Sequence, residues 1–419
     1  MRRVVLATFA CIFAALVLSG CGSGSGSGQL VGPPAHTDAW LSYKFSQGCG
    51  PYPGTCTDPD GNLSMTNTAE TDRYYTAIGA ESSGGSRMNI TDWLGANGYY
   101  TASVTKASYA NTLDLQLGRQ MNCWQNGQTI ACFVSNYGPA PLINTGAINP
   151  NYPNLSQAVS QISNPSTPAF ATVAMLFNPN GIGSNGDPVT FYVFDGTGNL
   201  LDYATLDQEG LIKTVPRMCM ACHGGTYDPV KHSVKAPATS QLGASFLPFD
   251  VWSFFFGPSL TRDAQQESFR QLNALVLATN PSPAIRGLIN DLYSNNVTVP
   301  GTKIPDDTYV PASWQPAANN GDPNGPKVYK GVFRQYCRMC HLAQDAPDFS
   351  SYSSFKATGN AMQVNALVCN AADMPHAQIP FGGIKGLGFW WDTLALTDMN
   401  TVLQQQLGAG SGCAINFVK

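Results

Sequence analysis

Two five-residue runs constrain this chain more than anything else in it: Cys219-Met220-Ala221-Cys222-His223 and Cys337-Arg338-Met339-Cys340-His341. C-x-x-C-H is the spacing for covalent haem attachment, and the cause is geometric. On a helical turn, residues three and four apart share a face. Cysteines at the first and fourth positions then reach the two vinyl groups of one porphyrin, and the following histidine lies beneath the ring. The expectation is two covalently bound c-type haems, one held by Cys219 and Cys222, the other by Cys337 and Cys340. His223 and His341 would be the proximal iron ligands. Two C-x-x-C pairs are also the material of a four-cysteine zinc site. The long separation of the pairs, a histidine directly behind each, and an oxidising compartment count against zinc.

The N-terminus argues for export. Met1-Arg2-Arg3 is a positive n-region, and Val4 to Leu18 is an apolar stretch. It falls short of the roughly 20 apolar residues a membrane span needs, so residues 1–20 read as a signal peptide. Leu18-Ser19-Gly20-Cys21 resembles a bacterial lipobox, which implies that Cys21 is acylated and becomes the mature N-terminus. Gly22 to Gly28 alternates Gly and Ser, so residues 21–36 read as a flexible tether. Gly22 stands where Asp would signal inner-membrane retention. By the same resemblance the anchor lies in the outer membrane, with the protein facing the periplasm.

Export also governs the twelve cysteines. Cys11 leaves with the signal, Cys21 takes lipid, and four belong to the haem motifs. The rest fall into plausible disulfides. Cys49 and Cys56 flank a turn-rich loop. Cys123 and Cys132 flank Asn126-Gly127, a hairpin signal that sets them across from each other. Cys369 and Cys413 remain in the C-terminal region. No cysteine is left as a free nucleophile, and no catalytic residue is expected.

A chain of 419 residues suggests two or three domains. Charged residues make up 11%, far below the usual quarter, while 42 Gly and 29 Pro favour a loop-rich exported protein. The net charge is −4 and no basic run follows Arg3, so nucleic-acid binding has no electrostatic footing.

The expected fold class is α+β, a β-rich N-terminal domain followed by a mainly α-helical dihaem cytochrome c-like region. Residues 37–208 form the β-rich domain, of unassigned role, with an early helix over 68–78. Its strands are expected at 113–124 and 129–136, at 171–177, and as a second hairpin of 189–194 with 200–206. A first haem lobe follows at 209–296, with amphipathic helices over 262–278 and 283–293. Ser282 caps the latter, with Pro283 at its first position. Residues 297–324 read as a Pro- and Gly-rich linker, and 325–419 as the second haem domain.

That last segment resembles a small cytochrome c domain. A helix bearing Tyr329, Phe333 and Tyr336 enters Cys337, and Met374 follows in Asp373-Met374-Pro375-His376, with Trp390 and Trp391 beyond. The resemblance implies Met374 as distal ligand, and His/Met ligation raises the potential relative to two histidines. His376 is an alternative. The first motif departs from this pattern, because no Met occurs between Cys222 and Met339. His232 is the candidate within the segment, since the chain from His223, at about 3.3 Å per residue, can pass round a porphyrin edge. Met121 or Met175, lent by the β-rich domain, or an open position, are the other options.

The stretch 210–300 resembles dihaem cytochromes of exported bacterial proteins. That resemblance carries no assigned activity, and the expectation of electron transfer between the membrane-anchored chain and a redox protein partner comes from the two haem motifs and the export signals together. The rivals are a dihaem peroxidase-like enzyme with the first haem as its reactive site, and a binding or sensor protein using the β-rich domain.

Overall fold

The computed structural model describes residues 68–357, apart from 112–116, 141–148, 150, 152–153, 165, 185, 205–212, 226–242, 305–307 and 344–348. Two helices precede the sheet, α1 at Thr68–Ala77 and α2 at Ile90–Ala96. Asn89 starts α2 with a reciprocal cap: its side chain accepts from the Asp92 N–H, and the Asp92 carboxylate accepts from the Asn89 N–H.

The strands are β1 (Thr105–Asn111), β2 (Gly118–Asn126) and β3 (Thr129–Tyr137). After α3 (Leu155–Ile162) come β4 (Ala171–Ile182) and β5 (Asp187–Asp195). Two short strands, β6 (Tyr203–Ala204) and β7 (Lys213–Thr214), pair with each other. Then follow α4 (Arg217–His223), β8 (Phe254–Phe255), α5 (Gln266–Ala278) and α6 (Pro283–Leu292). The last described elements are α7 (Asn324–Val328), a π-helix (Tyr329–Cys337), α8 (Arg338–His341) and α9 (Tyr352–Lys356).

One six-stranded antiparallel sheet, in the order β5-β4-β3-β2-β1-β8, dominates the described residues. β2 and β3 turn on the two residues between Asn126 and Thr129, and Gly127 supplies the positive φ (62°) such a short loop needs. Cys123 and Cys132 pair across this hairpin and are joined by a disulfide. The N–H groups of β5 that face away from β4 are met by α1: the Tyr74 hydroxyl accepts from Phe191 at 2.8 Å and the Tyr75 hydroxyl from Val193 at 3.4 Å. Helical side chains thus blunt a sheet edge that would otherwise be a template for aggregation. At the other end, Gln265 grips the Ser108 backbone with both side-chain atoms, at 2.6 and 2.9 Å, beside the two-residue strand β8.

These findings correct the expected fold class. A single apolar cluster runs from Tyr74 to Leu342 and unites the sheet with Met218, Met220, α5 and α6. Strand β8 lies beyond the first C-x-x-C-H run yet completes the sheet that precedes it, and α5 packs on β1 and β2. The β structure and the first haem segment therefore share one core. Among the described residues there is no clearly helical cytochrome-like C-terminal region. α7 to α9 are short pieces around a π-helix, and the stretch before them, read as a linker, is packed in 3-10 turns with Val310 and Trp314 buried. Its density of Pro and Gly rules out long helices but leaves room for tight turns. The expected 189–194/200–206 hairpin is present in short form: the Asp195 N–H donates to the Asn199 carbonyl at 2.9 Å and the Leu201 N–H to the Val193 carbonyl at 2.8 Å, while 205–206 lie outside the described residues. β5 pairs with β4, and Leu200 makes an isolated bridge to Phe194. β1, by contrast, was not expected at all.

Candidate haem-attachment site

The first motif is a single short helix. α4 sets off from Pro216, whose carbonyl accepts from Cys219 and Met220, and stops at Gly224, which takes φ 74°. That helical turn puts Cys219 and Cys222 three apart and His223 directly behind them. Met218 and Met220, on either side of Cys219, are buried in the main core. The helix is therefore anchored by its methionines, and Cys219, Cys222 and His223 stay half-buried.

His223 is held twice by one residue. The Ser245 N–H donates to the His223 carbonyl at 2.9 Å, and His223 Nδ1 lies 2.9 Å from the Ser245 carbonyl oxygen. A carbonyl can only accept, so Nδ1 carries the proton and Nε2 is left with its lone pair. Burial of the ring, against the opposing pull of the Ser245 carbonyl and helped by Arg119 on β2, lowers its pKa to about 4. The imidazole is neutral at ordinary pH, the state iron requires, and its tautomer is set as metal-bound histidines usually have it. The ring also packs on Phe191 of β5, with centroids 5.3 Å apart.

Burial pushes the Cys219 thiol up to about 12, which makes it a poor nucleophile at neutral pH. Cys219, Cys222 and Cys337 stand outside any disulfide. Among the described residues no three His, Cys, Asp or Glu side chains converge as a metal cage. Thiols on one helical face with a tautomer-fixed histidine behind them fit a covalently held haem.

The second motif grows from an aromatic cluster. Trp314 stacks on Phe333 at 5.0 Å and packs on Tyr329, Tyr352 and Phe355. The π-helix built on these rings ends at Cys337, and Arg338–His341 continues it, with Cys340 in that last turn. The His341 ring packs on Phe349 at 4.8 Å.

The two motifs adjoin. α4 packs on α8, and a Cβ on Gly224 would strike the carbonyl oxygen of Ala343. The Ser282 hydroxyl, besides capping α6, donates to the Leu342 carbonyl at 2.8 Å. Arg338, inside the second motif, pairs with Asp250 at 2.5 Å, donates to the Tyr329 hydroxyl and lies over the Trp252 ring. Sequence reasoning missed Asp250 and Arg119, because neither belongs to a recognisable local pattern. His232, Met374, His376, Cys21, Cys49, Cys56, Cys369 and Cys413 lie outside the described residues. Among the described residues, no helix is long and apolar enough to cross a membrane. Compared with protein-family models, curated proteins and solved structures, the chain matches none.

Proposed function

We propose that this chain is an exported, lipid-anchored c-type cytochrome that transfers electrons through two covalently attached haems. One observation carries the reading. A helix bearing Cys219 and Cys222 presents a neutral His223 whose Nδ1 is already engaged by the Ser245 carbonyl. Cys219 and Cys222 would hold one haem, Cys337 and Cys340 the other, with His223 and His341 as proximal ligands and Met374 as the distal ligand of the second. Each haem, when bound, supplies reversible one-electron chemistry at its iron. The chain's part is to fix the imidazoles, surround them with apolar side chains and keep water away. Packing of α4 on α8 supports a carrier whose two centres work together.

The partner is a redox protein, and with charged residues at 11% it would dock by apolar and polar contact more than by electrostatic steering. Cys21 would anchor the chain in the outer membrane, facing the periplasm.

The test is a pyridine haemochrome assay on protein exported with its maturation machinery. Two haems per chain are expected, retained through a denaturing gel, and Cys222→Ala and Cys340→Ala should each remove one. A colourless, zinc-loaded protein would overturn the reading. Fractionation of the same cells tests the anchor, since Cys21→Ser should move the chain from the membrane to the soluble periplasm. A variant that stays membrane-bound would show that lipid is not what holds it.

A further inference from the structure

No methionine follows the first motif before Met339, but the sheet carries two, Met121 on β2 and Met175 on β4. Residues paired across an antiparallel sheet share a face, as do residues two apart along a strand. The register pairs Cys123 with Cys132, Cys132 with Met175, and Met175 with Phe191. All four therefore lie on one face, in one row across β2 to β5. Phe191 is the residue whose ring meets His223. Met175 is thus the direct neighbour, one strand over, of the side chain that touches the proximal histidine. Met121 is on the same face, but in the next row, paired with Ala107 and Val134 on β1 and β3. Arg119 shares the face as well and is within electrostatic reach of His223.

Resting on the dihaem reading above, we infer that Met175 is the distal ligand of the first haem, lent by the sheet. The role fits the residue type, because a thioether is unbranched, adaptable and a soft donor to iron. It also fits the shared core. The apolar cluster that contains Met175 also contains Met218 and Met220 of the attachment helix, so the sheet and the helix share one core. Tyr74 and Tyr75 close the same end of the sheet, each within electrostatic reach of Cys219.

The experiment is proton NMR of the fully reduced holoprotein with methyl-labelled methionine. A methionine bound to haem iron shows its methyl resonance far upfield, one signal per ligated haem. Met175→Leu keeps volume and apolarity, so the fold should be retained. The wild type should show an upfield methyl signal that Met175→Leu removes, with two haems still bound and the chain still folded. Met121→Leu should leave that signal in place. The assignment is overturned if Met175→Leu leaves every upfield signal intact, if Met121→Leu removes one in its stead, or if His232→Ala alone turns the first haem high-spin. Fewer than two haems in the wild type would instead overturn the dihaem reading, and this assignment with it.

Discussion

Arg338 and Asp250 form an ion pair almost wholly withdrawn from water, with side chains 1% and 9% exposed. Arg338 sits between the two cysteines of the second motif, and Asp250 follows the loop whose Ser245 carbonyl holds His223. The same carboxylate accepts from both Nε and Nη2 of the guanidinium, at 2.8 and 2.5 Å. Asp250 also accepts from the Ser253 hydroxyl and the Trp252 N–H. The pair thus ties the support of one motif to the interior of the other.

Breaking such a pair from one side leaves an uncompensated buried charge. Asp250→Ala should therefore destabilise the chain by about 3–5 kcal/mol, whereas an apolar replacement of both partners should cost much less. Denaturant unfolding of Asp250→Ala, Arg338→Met and the double variant Asp250→Leu/Arg338→Met measures this. Additive losses in the double variant would mean that the two side chains do not act as a pair.

Glycines at two helix positions should respond to alanine with opposite signs. Gly224 combines φ 74° with a Cβ position that runs into the Ala343 carbonyl. Gly224→Ala should cost more than about 1 kcal/mol and loosen the contact between the motifs. Gly287 lies within α6, and a Cβ there meets nothing within 4 Å. Gly287→Ala should stabilise by about 0.5–1 kcal/mol through helix propensity alone. Thermal melts of both variants provide the comparison.

Stability should carry an acid-sensitive contribution from Glu267. Its carboxyl is lowered to about 2, chiefly by the hydrogen bond from Arg270, with the Gly301 N–H adding to it. A carboxyl with a depressed folded-state pKa stabilises fully above its unfolded value of 4.5, and that contribution fades as pH falls from 4.5 towards 2. Glu267→Gln should be less stable than wild type at neutral pH, and the two should converge at the acid end of that window. Because the Glu267 side chain is 44% exposed, the gap should also narrow in high salt. A gap that holds constant from pH 7 to pH 2 would remove Glu267 as its cause.

What local sequence determines, it determined well here. The α6 stripe of Ile285, Leu288, Ile289 and Leu292 is buried, and the Ser282 hydroxyl accepts from the Ile285 N–H as a cap should. The Asn126-Gly127 hairpin and the helical turn through Cys219, Cys222 and His223 were legible for the same reason. Each depends on residues within one or two turns of one another, so spacing and residue type suffice. The division into a β-rich domain and a helical haem region failed because it rested on where local patterns change. Cores form instead by burying whatever apolar faces meet in space. Phe254 and Phe255 make only a two-residue strand, too short for any alternation to announce it, and β1 alone gives it an edge to pair with. The tautomer of His223 was beyond reach as well, because it is set by a main-chain carbonyl, which every residue possesses and no pattern marks. The pairing of Arg338 with Asp250, and the placing of Met175 beside the ring that touches His223, needed the chain to close over long separations. Only the folded register and the packing of α4 and α8 could decide those.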